Sequence, residues 1–335
     1  MIEGTMTKPF LLLLFSSMSL FFFSWSALAD LGCSSWIGSS ERRSAILTVV
    51  ENSMRSAGEA ILQIRSSKDM KIQEKKNFAD LKTAGDLTSQ RIILTALSQN
   101  PLTRNAKFLA EEKSEETNHL TQQELFPSDS LWVLDPIDGT TNFAHGLPHF
   151  SISLAFVIEG KPCFGAVYAP VYDEFYFAWD GQGAYLKTQK GTQVEKLHVS
   201  QVSDLSKSLW VTGTEGGPGS KAFEKNKNTF DLALKLLPQT QDLRRTGSAA
   251  LDLAFVAAGR VEGYVEFSEG LKWWDVIAGL LLVSEAGGFT SVKEPASNAL
   301  LGSRRLTQPI QYVLATNGNE ALHHQFKSAL FSIFK

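Results

Sequence analysis

The chain has 335 residues, 43% hydrophobic and 20% charged, with a net charge of −3 at pH 7. It is long enough to bury a large core, as one large domain or two. The near-neutral balance and a pI of about 6.1 argue against a general nucleic-acid binder, and two cysteines with no zinc-type spacing argue against a disulfide scaffold or a zinc site.

At the N-terminus, Lys8 precedes an almost wholly apolar run from Phe10 to Ala29 that closes on Ala27-Leu28-Ala29. A basic residue, an apolar core and a small-x-small end describe a secretory signal peptide, with cleavage expected after Ala29. The same run of about 20 apolar residues is also long enough to remain as a membrane anchor. Either reading puts residues 30–335 outside the cytoplasm or at a membrane, with lipid contact confined to segment 1–29; a start placed further along would leave a cytoplasmic protein.

From Glu41 to Ile64 the apolar residues Ile46, Leu47, Val50, Met54, Ala57 and Ile61 recur at helical spacing. Lys71 to Lys76 is broken by Glu74 and reads as a solvated face. Thr88–Ser98 reads as a second helix, Phe108–Ala110 as a short strand and Thr117–Ser130 as a polar loop. Leu131–Leu134 is a buried strand. Ser151–Val157, Phe164–Ala169, Phe175–Ala178 and Gly183–Leu186 are strands of an antiparallel meander. Cys163, in an apolar stretch, reads as a buried thiol; with Cys33 as the only other cysteine, one disulfide is possible. The Gly-rich Gly213–Ser220 lies near a boundary between halves of about 41–195 and 196–335. Helices follow at Ala222–Leu237, Ser248–Ala258, Val276–Glu285 and Glu320–Phe334, alternating with strands near 208–212, 262–267, 289–292 and 311–316. The mixture predicts stacked helix and sheet layers, an α/β (α+β) architecture.

The most telling motif is DPIDGT at 135–140. Asp135 stands at the end of a strand, Asp138 follows three residues on, and Gly139 allows a tight turn into a helix starting at Thr140. Two carboxylates facing the positive end of a helix can hold hard divalent cations and a phosphate together, which predicts a metal-dependent phosphate enzyme. Four further features gain weight beside it: Glu111-Glu112 at a strand exit; Trp274-Asp275 at a helix start, where aspartate also serves as an N-cap; Gly247-Ser248-Ala249 at another helix start, whose amides can face an anion or hydroxyl; and Asp86 just before a helix.

In this order the pieces resemble the inositol monophosphatase family: Asp86, then Glu111-Glu112, then Asp135 to Thr140, then Trp274-Asp275, eleven residues and Gly287-Gly288. The continuation TTNFAHGLPHFSISLA looks like the inositol-phosphatase branch, and the likeness runs from about Glu41 to the C-terminus. It implies a layered α-β-α-β-α sandwich and Mg²⁺-dependent, lithium-sensitive hydrolysis of a small phosphorylated polyol or sugar. Inositol 1-phosphate is the first expectation; a sugar phosphate, nucleotide 3′-phosphate or histidinol phosphate, or a non-catalytic binding role, are the alternatives. It further implies two or three Mg²⁺ ions and a homodimer. Glu111, Asp135 and the Ile137 carbonyl would hold one ion, and Asp135, Asp138 and Asp275 a second. Glu111 and Asp86 would serve a third ion and the attacking water, with Thr140 passing a proton to Asp86. The amides of Gly139 and Thr140 would take the phosphate, and Gly247, Ser248 and Ala249 the substrate's hydroxyls. The chain departs from the family at Ala110, Lys113 and Gly85. Ser268 stands seven residues before Asp275, where a substrate-binding glutamate is expected. Glu266 or Glu269 would take its place, or neither.

Overall fold

The computed structural model describes residues 30–67, 69–75, 80–113, 117, 121, 124–126, 128–188, 194–214, 221–267, 271–293, 306–307 and 310–331. The leader segment 1–29, most of the Gly-rich loop, and Ser268 and Glu269 lie outside them. No helix among the described residues is long and apolar enough to cross a membrane.

Two helices begin the described chain, α1 (Asp30–Ile37) and α2 (Ser40–Ser67), followed by a short hairpin, β1 (Gln73–Glu74) and β2 (Leu81–Lys82), and by α3 (Ala84–Gln99). A seven-stranded sheet comes next: β3 (Lys107–Ala110), β4 (Ser130–Asp138), β5 (Ser151–Ile158), β6 (Lys161–Ala169), β7 (Glu174–Trp179), β8 (Gly183–Thr188) and β9 (Glu195–Lys196), in that spatial order, with the short helix α4 (Thr140–Ala144) between β4 and β5. Only β3 and β4 run parallel in it. A five-stranded sheet follows, ordered β11 (Asp242–Arg244), β10 (Leu209–Thr212), β12 (Gly263–Phe267), β14 (Tyr312–Thr316) and β13 (Phe289–Lys293). Its helices are α5 (Lys221–Leu236), α6 (Ala249–Ala257), α7 (Trp273–Glu285) and α8 (Glu320–Phe331).

The side-chain period of two explains the layering. Along β4, Leu131 and Val133 join a core with α6 and α7, while Trp132 and Leu134 join one with α2 and α3. The strands β5, β6 and β7 divide their residues the same way, so both faces of the sheet are covered and its strands read as continuous apolar runs. The outer face of the five-stranded sheet is closed by α5 and α8, with Trp210 stacked on Phe326 at 3.6 Å between ring centroids. The order is therefore α2/α3, sheet, α6/α7, sheet, α5/α8: the five-layer sandwich.

Three local expectations change. Cys163 is not a free thiol: it is bonded to Cys33. The bond ties α1, which the sequence reading did not include, to β6; Trp36 of α1 stacks on Phe156 at 3.7 Å. The strand before DPIDGT does not stop at Leu134 but runs to Asp138, with a register shift after Asp135. Pro136 cannot donate to the ladder, so a bulge there costs least. Finally, Asp86 and Asp275 are not N-caps. Each is the third residue of its helix and accepts from the backbone of the N-cap, Thr83 and Lys272 respectively.

Candidate active site

The bulge in β4 matters for the site. In a regular strand, residues three apart point to opposite faces. The irregularity between Asp135 and Asp138 lets both buried carboxylates reach one region, where burial first and neighbouring acidic charge second raise each of them. Asp135 Oδ1 accepts from the Ile137 amide at 3.0 Å. Gly139 then turns at φ +92° and opens α4; a Cβ there would lie 3.1 Å from the Gly247 carbonyl oxygen, so the two glycine turns are packed against each other.

Asp138 is held from the far side of the chain. Its Oδ2 accepts from Ser248 Oγ at 2.5 Å and from the Ala250 amide at 2.8 Å. Ser248 is the N-cap of α6 but makes no cap bond with its own side chain, so Asp138 does the capping in its place. Ala249, half-buried, is the first residue of that helix. Asn142 Nδ2 donates to the Thr246 carbonyl at 2.8 Å and also to that of His149, linking α4 to the Gly247 turn. Asp252 braces the same turn by accepting from Thr246 Oγ1 and pairing with His149 Nε2 at 3.0 Å.

Glu111 reaches the site because β3 pairs with β4, Ala110 opposite Leu134, and the Glu111 amide donates to the Leu134 carbonyl at 3.2 Å. Its carboxyl lies within hydrogen-bonding reach of Asp135. Lys75, read from sequence as part of a solvated face, instead lies between two acids. Its Nζ is 2.7 Å from Glu111 Oε1 and also pairs with Glu112 Oε1, as an ion pair rather than a directed hydrogen bond. Lys82 takes the other oxygen of Glu112 at 3.2 Å. Burial alone would lower the Lys75 ammonium, but the charges of Glu111 and Glu112 raise it. Asp86 Oδ2 accepts from Thr83 N at 2.7 Å and Thr83 Oγ1 at 2.6 Å. Thr140 Oγ1 stands 3.2 Å from Asp86 Oδ1 and 3.0 Å from the Ile137 carbonyl oxygen, so its one proton can go to either.

The electrostatics describe a site short of positive charge. Burial, then the charges of Glu111, Asp138 and Asp275, hold Asp135 well above the usual carboxylate range; burial, then Glu111 and Asp138, does the same to Asp275. Burial pushes Asp138 and Asp86 each up to about 7, with Asp252 adding to the first and Glu111 and Glu112 to the second. Among the described residues no three acidic, His or Cys side chains already form a closed metal cage; several of their oxygens are taken by Lys75, Ser248 and backbone amides. The donors are nevertheless all oxygen, buried and mutually repelling. That set fits a hard divalent cation such as Mg²⁺, which Glu111, Asp135, Asp138, Asp275 and the Ile137 carbonyl could hold.

Glu266, at the end of β12, is buried and accepts from Tyr264 Oη. It is near enough for its charge to act on Asp275. Glu269 lies outside the described residues. Sequence reasoning missed Lys75, Lys82, Asn142, His149 and Asp252, and gave Glu112 no role. Asn142 and His149 carried a signal, inside the TTNFAHGLPHFSISLA continuation.

The model of the inositol monophosphatase family matches residues 42–329. The Nus factor SuhB of Salmonella typhimurium strain LT2 is 37% identical over 246 residues, which is 73% of this chain and 84% of that protein. The fructose-1,6-bisphosphatase/inositol-1-monophosphatase of Thermotoga maritima is 34% identical over 232 residues, 69% of this chain and 78% of that one. Among solved structures, the extragenic suppressor protein SuhB of Bartonella henselae superposes with a TM-score of 0.69 at 30% identity, covering 85% of this chain and 98% of that one.

Proposed function

Because the chain belongs to the inositol monophosphatase family, we propose that it is a Mg²⁺-dependent phosphomonoesterase acting on a small phosphorylated polyol, inositol 1-phosphate first. The observation that carries this reading is the buried acid cluster of Asp135, Asp138 and Asp275, whose carboxyls are all raised by one another's charge or by burial. Such a cluster is costly to ionise without a countercharge.

Two or three bound Mg²⁺ ions would supply the chemistry of charge neutralisation on the phosphate and of an acidified water. The residues do the rest. Glu111, Asp135, Asp138 and Asp275 would hold the ions, with Asp138 pre-oriented by Ser248 and the Ala250 amide. Thr140 Oγ1 would accept from the attacking water while donating to Asp86 Oδ1, 3.2 Å away. The amides of Gly139 and Thr140 meet the phosphate, and Gly247, Ser248 and Ala249 the polyol. Lithium inhibition and a homodimer belong to the same reading.

The test is phosphate release by the purified chain from inositol 1-phosphate, fructose 1,6-bisphosphate, a nucleotide 3′-phosphate and histidinol phosphate, with and without Mg²⁺ and Li⁺. Mg²⁺-dependent, Li⁺-suppressed turnover of the inositol ester is expected. No release from any ester would end the reading. A binding role without catalysis is the second reading, favoured by Lys75 lodged against Glu111 and Glu112 and by the likeness to a Nus factor. It requires calorimetry to find no Mg²⁺ binding.

We further propose that the chain is exported. The support is the leader-like segment 1–29 and the Cys33–Cys163 disulfide, a bond that persists in oxidising compartments. N-terminal sequencing of the native protein should start at Asp30; a start at Met1 would leave the anchor, and a start at a later initiation point the cytoplasmic alternative.

A further inference from the structure

Tyr264 and Glu266 stand two apart on β12 and so face the same side of the sheet. Both are buried, and the phenol donates to Glu266 Oε2. Burial pushes the Glu266 carboxyl up to about 7; Tyr264 opposes this by its hydrogen bond, Asp138 adds to it, and Arg245 counters it. This carboxyl lies near enough to Asp138 for the two charges to act on each other.

The neighbouring strand β10 runs parallel to β12, with Thr212 opposite Val265. Gly213 is the next residue, beside Glu266. A Cβ on Gly213 would fall 1.8 Å from Glu266 Oε2 and 2.5 Å from its Cδ, inside the carboxylate itself. The backbone does not need glycine here, because Gly213 is not among the glycines of positive φ. The space needs it. Beyond Gly213 the chain is pinned by Arg245, whose Nε donates to Thr214 Oγ1 at 2.6 Å, so the strand end has little freedom to move aside.

We propose that Gly213 is a specificity-determining position: by carrying no side chain it seats the Glu266 carboxylate, braced by Tyr264, as the acceptor for a hydroxyl of the phosphorylated polyol. The inference rests on the polyol-phosphatase reading above and assigns the acceptor to Glu266 rather than Glu269. Gly213 and Tyr264 are positioning residues; only Glu266 would touch substrate.

The experiment measures kcat/KM of the full chain for inositol 1-phosphate and for p-nitrophenyl phosphate, which has no hydroxyl beside its ester. Gly213→Ala should lower the ratio of the two at least about tenfold, mainly through KM for the inositol ester, and Glu266→Gln should do the same. The double variant should fall no further than Glu266→Gln alone, because both changes remove one contact. A Gly213→Ala ratio within about twofold of the parent, or effects that multiply in the double variant, would overturn the proposal. If Gly213→Ala does not fold, Tyr264→Phe serves. It should shift the ratio the same way by about three- to tenfold, for one lost hydrogen bond, and an unchanged ratio overturns the proposal. A parent enzyme that cleaves p-nitrophenyl phosphate but not inositol 1-phosphate defeats the polyol reading instead, before any variant is compared.

Discussion

Lys75 Nζ sits 2.7 Å from Glu111 Oε1, so an ammonium lies against a carboxylate that a metal ion would need. The side chain is 23% exposed and also pairs with Glu112. Removing it has opposite effects on the empty and the loaded protein. Lys75→Met leaves Glu111 without this ammonium and Glu112 with Lys82 alone, which should lower the metal-free Tm by several degrees. The same change makes the site more negative, so Mg²⁺ affinity should rise about tenfold, or about 1.4 kcal/mol. Calorimetric titration and thermal unfolding in chelator read the two effects separately. Weaker Mg²⁺ binding in the variant would mean that Lys75 helps to build the site rather than competing for it.

Asp135 accepts from only one amide and is surrounded by acids. Asp135→Asn should therefore leave the fold intact while lowering kcat by about a thousandfold or more, through loss of a carboxylate that would hold the ions. The Mg²⁺-induced rise in Tm should shrink with it. Turnover near the parent value would remove Asp135 from the centre of the site.

The raised acids make stability depend on pH in a definite direction. Asp86 and Asp138 move from an ordinary 3.8 to about 7 in the folded chain. Between roughly pH 4 and pH 7 the folded state keeps protons that the unfolded state has released, so stability present below pH 4 is lost as pH rises through 7. In chelator, Tm should fall across that window from these groups. With saturating Mg²⁺ the fall should flatten, since the ions replace the protons. A metal-free Tm that climbs steadily from pH 4 to 7 would mean these carboxyls are not protonated in the fold.

The Cys33–Cys163 bond closes a loop spanning 130 residues. Loop-closure entropy gives such a link about 3–5 kcal/mol, and a chain of this size would lose on the order of 10 °C in Tm on its removal. Cys33→Ser, or the parent under reductant, should show that loss in a thermal scan, with activity at low temperature retained because the bond lies in the α1–β6 layer, away from the acids. An unchanged Tm would mean the bond contributes nothing to the folded state.

Much of the layered fold is legible in the chain because periodicity is local. The meander strands Ser151–Ile158 to Gly183–Thr188 and the helix Ser40–Ser67 follow from apolar spacing and turn residues alone. Helix α1 escaped notice because eight residues behind an apolar leader carry little period of their own. The three-residue strand Asp242–Arg244 is also too short to announce itself.

The sequence by itself determined the chemistry on offer: a carboxylate pair around Pro136, a glycine turn and a helix start within six residues. Tertiary structure alone decided how those groups are held. Ser248 caps nothing locally and turns to Asp138, 110 residues away. Lys75 leaves a polar run to lie between Glu111 and Glu112, and Gly213 clears the space that Glu266 fills. The reason is physical. Helix and strand formation depend on neighbours within a few positions, whereas an ion pair or a steric gap depends on where packed layers bring distant residues.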